Sequence, residues 1–148
     1  MEISFKNAQS EDIPQILEMM SEFYAIDHYS FDAAINEKNL TEFINSPTLG
    51  RLYLIREEAT TVGYIVLTFG FSFEYGGRDA FIDEFFLKAT HRRKGIGTQT
   101  MELIEKEATK LAIKVLHLEV ETHNTFANRL YIRQGFARNK RSLLTKRI

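Results

Sequence analysis

Arg92-Arg93-Lys94-Gly95-Ile96-Gly97 follows the apolar run Phe81-Ile82-Asp83-Glu84-Phe85-Phe86-Leu87 and leads into an amphipathic pattern that continues from Ile96 to Ala112. The order is strand, glycine-bearing turn, helix. The first N–H groups of a helix have no internal partner, the helix dipole places partial positive charge there, and glycines let an anion approach the backbone. The stretch therefore reads as an anion site, to which Arg92, Arg93 and Lys94 add positive field.

Working outward, the strand that feeds this turn spans Asp79 to Lys88 and the helix that leaves it carries Met101, Ile104, Ala108 and Leu111 on one face, with Glu102, Glu105, Lys106 and Lys110 on the other. Upstream, Arg51 to Glu57 and Val62 to Phe73 read as a hairpin; Gly70 inside the second strand marks a bulge or a close backbone approach. Phe69, Phe71, Phe73 and Tyr75, spaced by two, read as a buried or interface strand face. Ile3 to Asn7 is β-like. Ser10-Glu11-Asp12-Ile13-Pro14 reads as a helix start capped by Ser10, with the helix running from about Glu11 to Ala25, and Phe31 to Ile44 as a second helix. Downstream, Val115 to Val120 is a strand, Asn124 to Gln134 a short helix ended by Gly135, and Phe136 to Ile148 a hairpin-like segment. Helices interleaved with a mostly antiparallel sheet make this an α+β fold, over one domain of residues 1–148.

Composition narrows the function classes. The 148 residues carry 44% hydrophobic and 26% charged side chains, a formal net charge of −1 and no cysteine. Thiol nucleophiles, thiolate metal sites and disulfides are excluded. No apolar run approaches the roughly 20 residues of a membrane helix, and no secretory signal pattern opens the sequence, so a cytoplasmic location is the expectation. Three basic residues at one turn without a wider basic stripe are a poor nucleic-acid footprint, and the partners expected are small molecules. Gly95-Ile96-Gly97-Thr98-Gln99-Thr100 lacks the third glycine of a dinucleotide-binding fingerprint, and no Gly-Lys-Ser or Gly-Lys-Thr marks a P-loop. His117, Glu119, Glu121 and His123 alternate onto one face, which reads as the polar side of a strand; no metal is expected.

Arg92-x-x-Gly95-x-Gly97 after a strand, followed by Asn124-x-x-Ala127-x-x-x-Tyr131-x-x-x-Gly135-Phe136, resembles the GNAT superfamily of N-acetyltransferases over essentially the whole chain. The resemblance implies a splayed, mostly antiparallel central sheet flanked by helices, with acetyl-CoA held as co-substrate between the strands Asp79 to Lys88 and Val115 to Thr122. It places the pyrophosphate on the N–H groups from Arg93 through Gly95, Ile96 and Gly97 to Thr98, the pantetheine arm along the edge at Phe85, Phe86 and Leu87, and Asn124 and Ala127 on the other side of the cofactor. Tyr131 matches the superfamily's usual general acid. The Asp83-Glu84-Phe85-Phe86 segment is also similar to that of polyamine acetyltransferases. Look-alikes are commonly dimers, so a homodimer is an open expectation.

Transfer to an amine needs the neutral amine, and an alkylamine of pKa about 10.4 is neutral in only about one part in 10³ at pH 7, so a base helps. Asp83 and Glu84 point to opposite faces of their strand, and one of them, with Glu84 slightly preferred, is the expected base or amine anchor. Plain alternation puts Glu84 on the face of Ile82 and Phe86, and Asp83 on that of Phe81 and Phe85; a bulge would reshuffle this. Tyr131 is the expected acid, facing an uphill transfer of about 1.5 pKa units against an ordinary thiol of about 8.5. The acceptor expected is the amine of a small cationic molecule, with a peptide amine as the alternative and a non-catalytic coenzyme A-binding module behind it.

Overall fold

A computed structural model describes residues 2–148. Five strands form one sheet in the order β1-β2-β3-β4-β5, with β1 Ile3–Asn7, β2 Gly50–Glu57, β3 Thr60–Ser72, β4 Gly77–Leu87 and β5 Val115–Leu118. Neighbours β1 to β4 are antiparallel, and only β5 runs parallel to β4. The α+β reading is borne out.

Apolar alternation on the strands supplies two layers. Tyr53, Ile55, Ile65, Leu67, Ala80 and Ile82 face α3 (Ile96–Lys110), which contributes Ile96, Met101 and Ile104 to the same cluster. The opposite face, with Leu52, Leu54, Tyr64, Val66 and Phe86, is covered by α1 (Ile13–Ile26) and α2 (Ala33–Ile44) through Ile16, Met20 and Leu40. α4 (Thr125–Arg133) packs Leu130 onto the α3 side.

Five local expectations are corrected. Ser10 does not cap the first helix, whose N-cap position is Asp12, with no side-chain cap hydrogen bond. A 3-10 turn, Ser10–Asp12, precedes α1, and Asp12 Oδ2 accepts from Gln9 N at 2.8 Å and from Lys6 Nζ at 2.7 Å. Burial alone would raise the Asp12 pKa, but these hydrogen bonds, with Lys6's charge, outweigh it and hold it below the ordinary value. α2 starts two residues after Phe31, where Asp32 accepts from Ile35 N at 3.1 Å. β5 stops at Leu118, short of Val120, and Phe136 to Ile148 forms neither strand nor hairpin. The aromatic row also differs from a buried face: Phe71 and Phe73 are 69% and 92% exposed. Only Phe69 is sheltered, beneath the guanidinium of Arg78 at 4.6 Å. At Gly70 the close approach is real, because an added Cβ would sit 2.6 Å from the Asp79 carboxylate.

The β3–β4 pairing slips by one residue: Val66 pairs with Glu84, whereas Leu67 pairs with Ile82, so Asp83 is the extra residue of a β-bulge. The bulge inverts the faces of β4. Ile82 belongs to the α3 layer, while Glu84 follows Val66 and Phe86 onto the α1 side. The expectation from plain alternation that Glu84 and Ile82 share a face is thus overturned.

Candidate active site

β4 and β5 pair only from Asp79 to Ile82 on β4 and from Val115 to Leu118 on β5. Past Ile82 the two separate, which leaves the β4 edge at Phe85, Phe86 and Leu87 unpaired on the β5 side and opens a cleft between β4 and α4. The bulge at Asp83 falls at this point of divergence.

A cavity of about 660 Å³ occupies the cleft. Its β4 wall is Phe85, Phe86 and Leu87, its floor is the turn with Arg92, Arg93, Gly95, Gly97 and Thr98, and its far wall is α4 with Asn124, Ala127 and Tyr131. These eleven expected site residues converge on one space although they come from three separate stretches of chain. Lys94 and Ile96 do not line it: Lys94 is exposed and the Ile96 side chain is core, at 2% exposure. Residues without a sequence signal also line it, among them Phe23 and Ile26 of α1, His123 and Phe126. Phe23 was legible only as an apolar position of the first helix, and Ile26 lies just past Ala25, where that helix was expected to end.

The turn has the backbone that an anion cradle requires. Arg93 and Gly95 both lie in the left-handed region, at φ 61° and 79°, and Gly95 is the N-cap of α3. No side chain caps this helix start, so its first N–H groups point free toward the cavity floor. Gly97 serves packing: a Cβ there would come within 3.0 Å of Leu130 Cδ2, so a small residue is what lets α4 close on α3. Two of the basic side chains are partly committed elsewhere. Arg92 Nε donates to Leu87 O at 2.8 Å and its guanidinium lies 5.5 Å from the Phe86 ring centre, while the Arg93 guanidinium lies 5.3 Å from that of Phe126.

Glu84 sits one pleat from Phe86, outside the cavity lining, and is held by two tyrosines. Tyr24 Oη of α1 donates to Glu84 Oε2 at 2.6 Å and Tyr64 Oη of β3 donates to Oε1 at 2.8 Å. The rings are fixed in turn by aromatic packing: Tyr64 lies 5.9 Å from Phe86 and Tyr24 5.6 Å from Phe31. Burial raises the Glu84 pKa, the tyrosine hydrogen bonds pull it back, the Asp83 charge adds to the rise, and the net is upward. The same contacts push both tyrosines up: burial first, then Glu84. Asp83 is the more solvent-exposed acid, and partial burial still raises its pKa. Neither acid forms an ion pair, with Arg78, Arg92 or any other described residue.

Tyr131 lines the cavity from α4 with its ring 5.9 Å from Phe136. Among the described residues its hydroxyl has no hydrogen-bond partner, and burial raises its pKa to about 12. Asn124 caps α4, its Oδ1 accepting from Ala127 N at 3.1 Å, which accounts for the Asn124-x-x-Ala127 spacing without any ligand. Beside the site the α1–α2 loop is tied to the β5–α4 loop: Tyr29 Oη donates to Glu121 Oε1 at 2.6 Å, and His123 Nε2 lies 3.3 Å from Asp27 Oδ1. His117, the first of the alternating polar residues, instead meets Asp79 at 3.2 Å and stacks near Phe81. Among the described residues no cluster of three metal-ligating side chains occurs, and no helix is long and apolar enough to cross a membrane.

A sheet that splays at a bulge, over a helix start without a side-chain cap, makes a cleft suited to an extended anionic ligand, and the sequence family narrows the class. Residues 14–136 match the model of the Acetyltransferase (GNAT) family, and the chain belongs to that family. An uncharacterized N-acetyltransferase, YycN of Bacillus subtilis (strain 168), is 35% identical over 63 residues, or 43% of this chain; the match covers 40% of that curated relative's length. Among solved structures, an integron cassette protein from the mobile metagenome of Cole Harbour Salt Marsh is 33% identical with a TM-score of 0.86, over 97% of this chain and 90% of that one. A predicted acetyltransferase from Clostridium acetobutylicum, solved with acetyl-CoA, has the same fold at 14% identity and a TM-score of 0.80, over 98% of this chain and 96% of that one.

Proposed function

We propose that the chain is an acetyl-CoA-dependent N-acetyltransferase that acetylates the amine of a small cationic molecule by direct attack. The observation that carries the acceptor assignment is Glu84, a partly buried carboxylate without a cationic partner, positioned by Tyr24 and Tyr64 next to the open β4 edge. A carboxylate built this way lacks only a cation, and an ammonium group is the complement.

The cavity fits the donor. The free N–H groups at the start of α3, with left-handed Arg93 and Gly95, suit a pyrophosphate; the unpaired edge at Phe85, Phe86 and Leu87 suits amide groups that add to it as a strand would. Bound acetyl-CoA supplies the activated acyl group. In this reading Glu84, or Asp83 at the bulge, anchors the ammonium form and accepts its proton, directly or through water. The freed nitrogen lone pair forms the N–C bond while the C–S bond breaks, and the second N–H proton passes through water to the departing thiolate, which leaves as the thiol. Tyr131 donates a hydrogen bond to the departing sulfur. It does not surrender its proton: at a pKa of about 12 against about 8.5 for a thiol, transfer lies uphill by roughly 3.5 pKa units, close to 5 kcal/mol.

The test is thiol release from acetyl-CoA with a panel of polyamines, amino sugars and amine-bearing peptides. Turnover with small cationic amines is expected. Turnover with peptides alone would overturn the acceptor assignment, and turnover with none of them would remove the small-amine reading.

A further inference from the structure

Residues 27–32 connect α1 to α2, and both ends of this segment are held at Tyr24. At its start His28 N donates to Ala25 O at 3.3 Å and Tyr29 N donates to Tyr24 O at 2.9 Å, with His28 in the left-handed region at φ 59°. These two bonds make a Schellman closure of α1, which turns the chain sharply out of the helix. At its end the Phe31 ring packs edge-on against the Tyr24 ring. Tyr24 is also a donor to Glu84, so the segment hangs from the helix turn that positions the carboxylate assigned to the amine.

From there the segment bridges the cleft. Asp27, just past α1, and His123, just before α4, both line the cofactor cavity, and His123 Nε2 lies 3.3 Å from Asp27 Oδ1. Outside the lining, Tyr29 Oη donates to Glu121 Oε1 at 2.6 Å. The far anchor is fixed on α4, because Asn128 Nδ2 donates to Glu121 O at 3.0 Å and to Asn124 O at 2.7 Å. The near side is not: residues 28–30 are exposed, and Tyr29 belongs to neither apolar cluster. Burial therefore does not account for where the Tyr29 ring lies, and the contact with Glu121 does.

Building on the acetyl-transfer reading above, on which this inference rests, we propose that residues 27–32 are a strap fastened across the acceptor end of the cleft. Asp27 and Tyr29 are then specificity-determining residues, which admit a small amine and exclude a peptide. A cleft whose rims are joined is a hole and not a trench. A small amine enters it end-on, whereas a lysine within a peptide brings backbone on both sides of the amine and needs the trench. The strap can open without disturbing the core, since its fastenings are exposed hydrogen bonds rather than buried apolar contacts. Opening is a cost that a peptide bears and a small amine does not, and the selectivity equals the closed-to-open ratio.

The double substitution Tyr29→Phe/Asp27→Ala removes both fastenings. Amide hydrogen exchange of residues 28–31 is expected to quicken about tenfold or more, the effect of losing a hydrogen bond to a charged group, with the rest of α1 unchanged. Titration of the coenzyme A complex with spermidine, glucosamine and a blocked peptide carrying one internal lysine measures selectivity without turnover. The native chain is expected to bind a small amine in preference to the peptide, and in the double variant the ratio of peptide to small-amine affinity is expected to rise about tenfold or more. Unchanged exchange, faster exchange with an unchanged ratio, a native chain that takes the peptide as well as it takes small amines, or one that binds none of them would overturn the proposal. Binding that shifts as expected, with no thiol release from acetyl-CoA, would support the strap and remove only the acetyl-transfer reading.

Discussion

Replacing Tyr131 by Phe isolates one atom. The ring's packing on Phe136 is kept, and because the hydroxyl has no partner among the described residues, its removal orphans no donor or acceptor. Stability should therefore change by less than about 0.5 kcal/mol. The hydroxyl's value appears when charge develops on sulfur: a hydrogen bond to a charged group is worth about 1.5–3 kcal/mol, so kcat should fall about 10- to 150-fold. Had the hydroxyl transferred its proton as a full general acid, the loss could extend to about 10⁴-fold. Single-turnover acetyl transfer at saturating donor measures the step, isothermal titration measures acetyl-CoA affinity, and a thermal melt measures stability. A loss below about threefold, a loss above about 10³-fold, or an equal loss of acetyl-CoA affinity would refute the hydrogen-bond account, since the first effect lies below the bond's range, the second needs proton transfer and the third is ground-state binding.

Glu84→Gln should lower kcat/KM for the amine by about 10²-fold, in the range of a lost general base, and leave acetyl-CoA binding unchanged. Because the native Glu84 pKa is raised, the acidic limb of kcat/KM against pH should lie above the ordinary value of 4.5 in the native enzyme and disappear in the variant. The sign for stability follows: a raised carboxyl disfavours the folded state once pH exceeds its unfolded pKa, so Glu84→Gln should relieve that cost in melts at neutral and alkaline pH and not below the ordinary carboxyl range. Gly95→Ala places a Cβ at φ 79° and should cost about 1–2 kcal/mol of stability, weaken acetyl-CoA binding in titration, and leave amine selectivity unaltered.

Legibility in the sequence followed the range of the forces involved. The turn from Arg92 to Gly97 was readable because glycine requirements and helix starts are local: Gly95 stands at the start of α3 in the left-handed region, while Gly97 answers to packing on Leu130. Asn124 was readable as a position, and its spacing to Ala127 is also a helix cap. The faces of β4 were not readable, because a bulge is decided by the pairing of Val66 and Leu67 from another strand. Tyr24 and Tyr64 as holders of Glu84 were invisible for the same reason, being 60 and 20 residues away. Phe136 to Ile148 has strand-like residues but no strand, since a strand exists only where its backbone pairs with another, and this segment pairs with none.

The extra residue at Asp83 gives β4 two reading frames. Upstream of it, the strand's inward positions answer to α3; downstream, they answer to α1. Deleting Asp83 would leave Glu84 next to Ile82 on the face it already holds, whereas regular pairing that kept every residue, with Val66 against Asp83, would turn Glu84 toward Ile65 and Ile104 and the apolar Phe85 toward the tyrosines. For this site, then, the slipped pairing that sets Glu84 rather than Asp83 against Val66 is as much a functional element as the carboxylate itself.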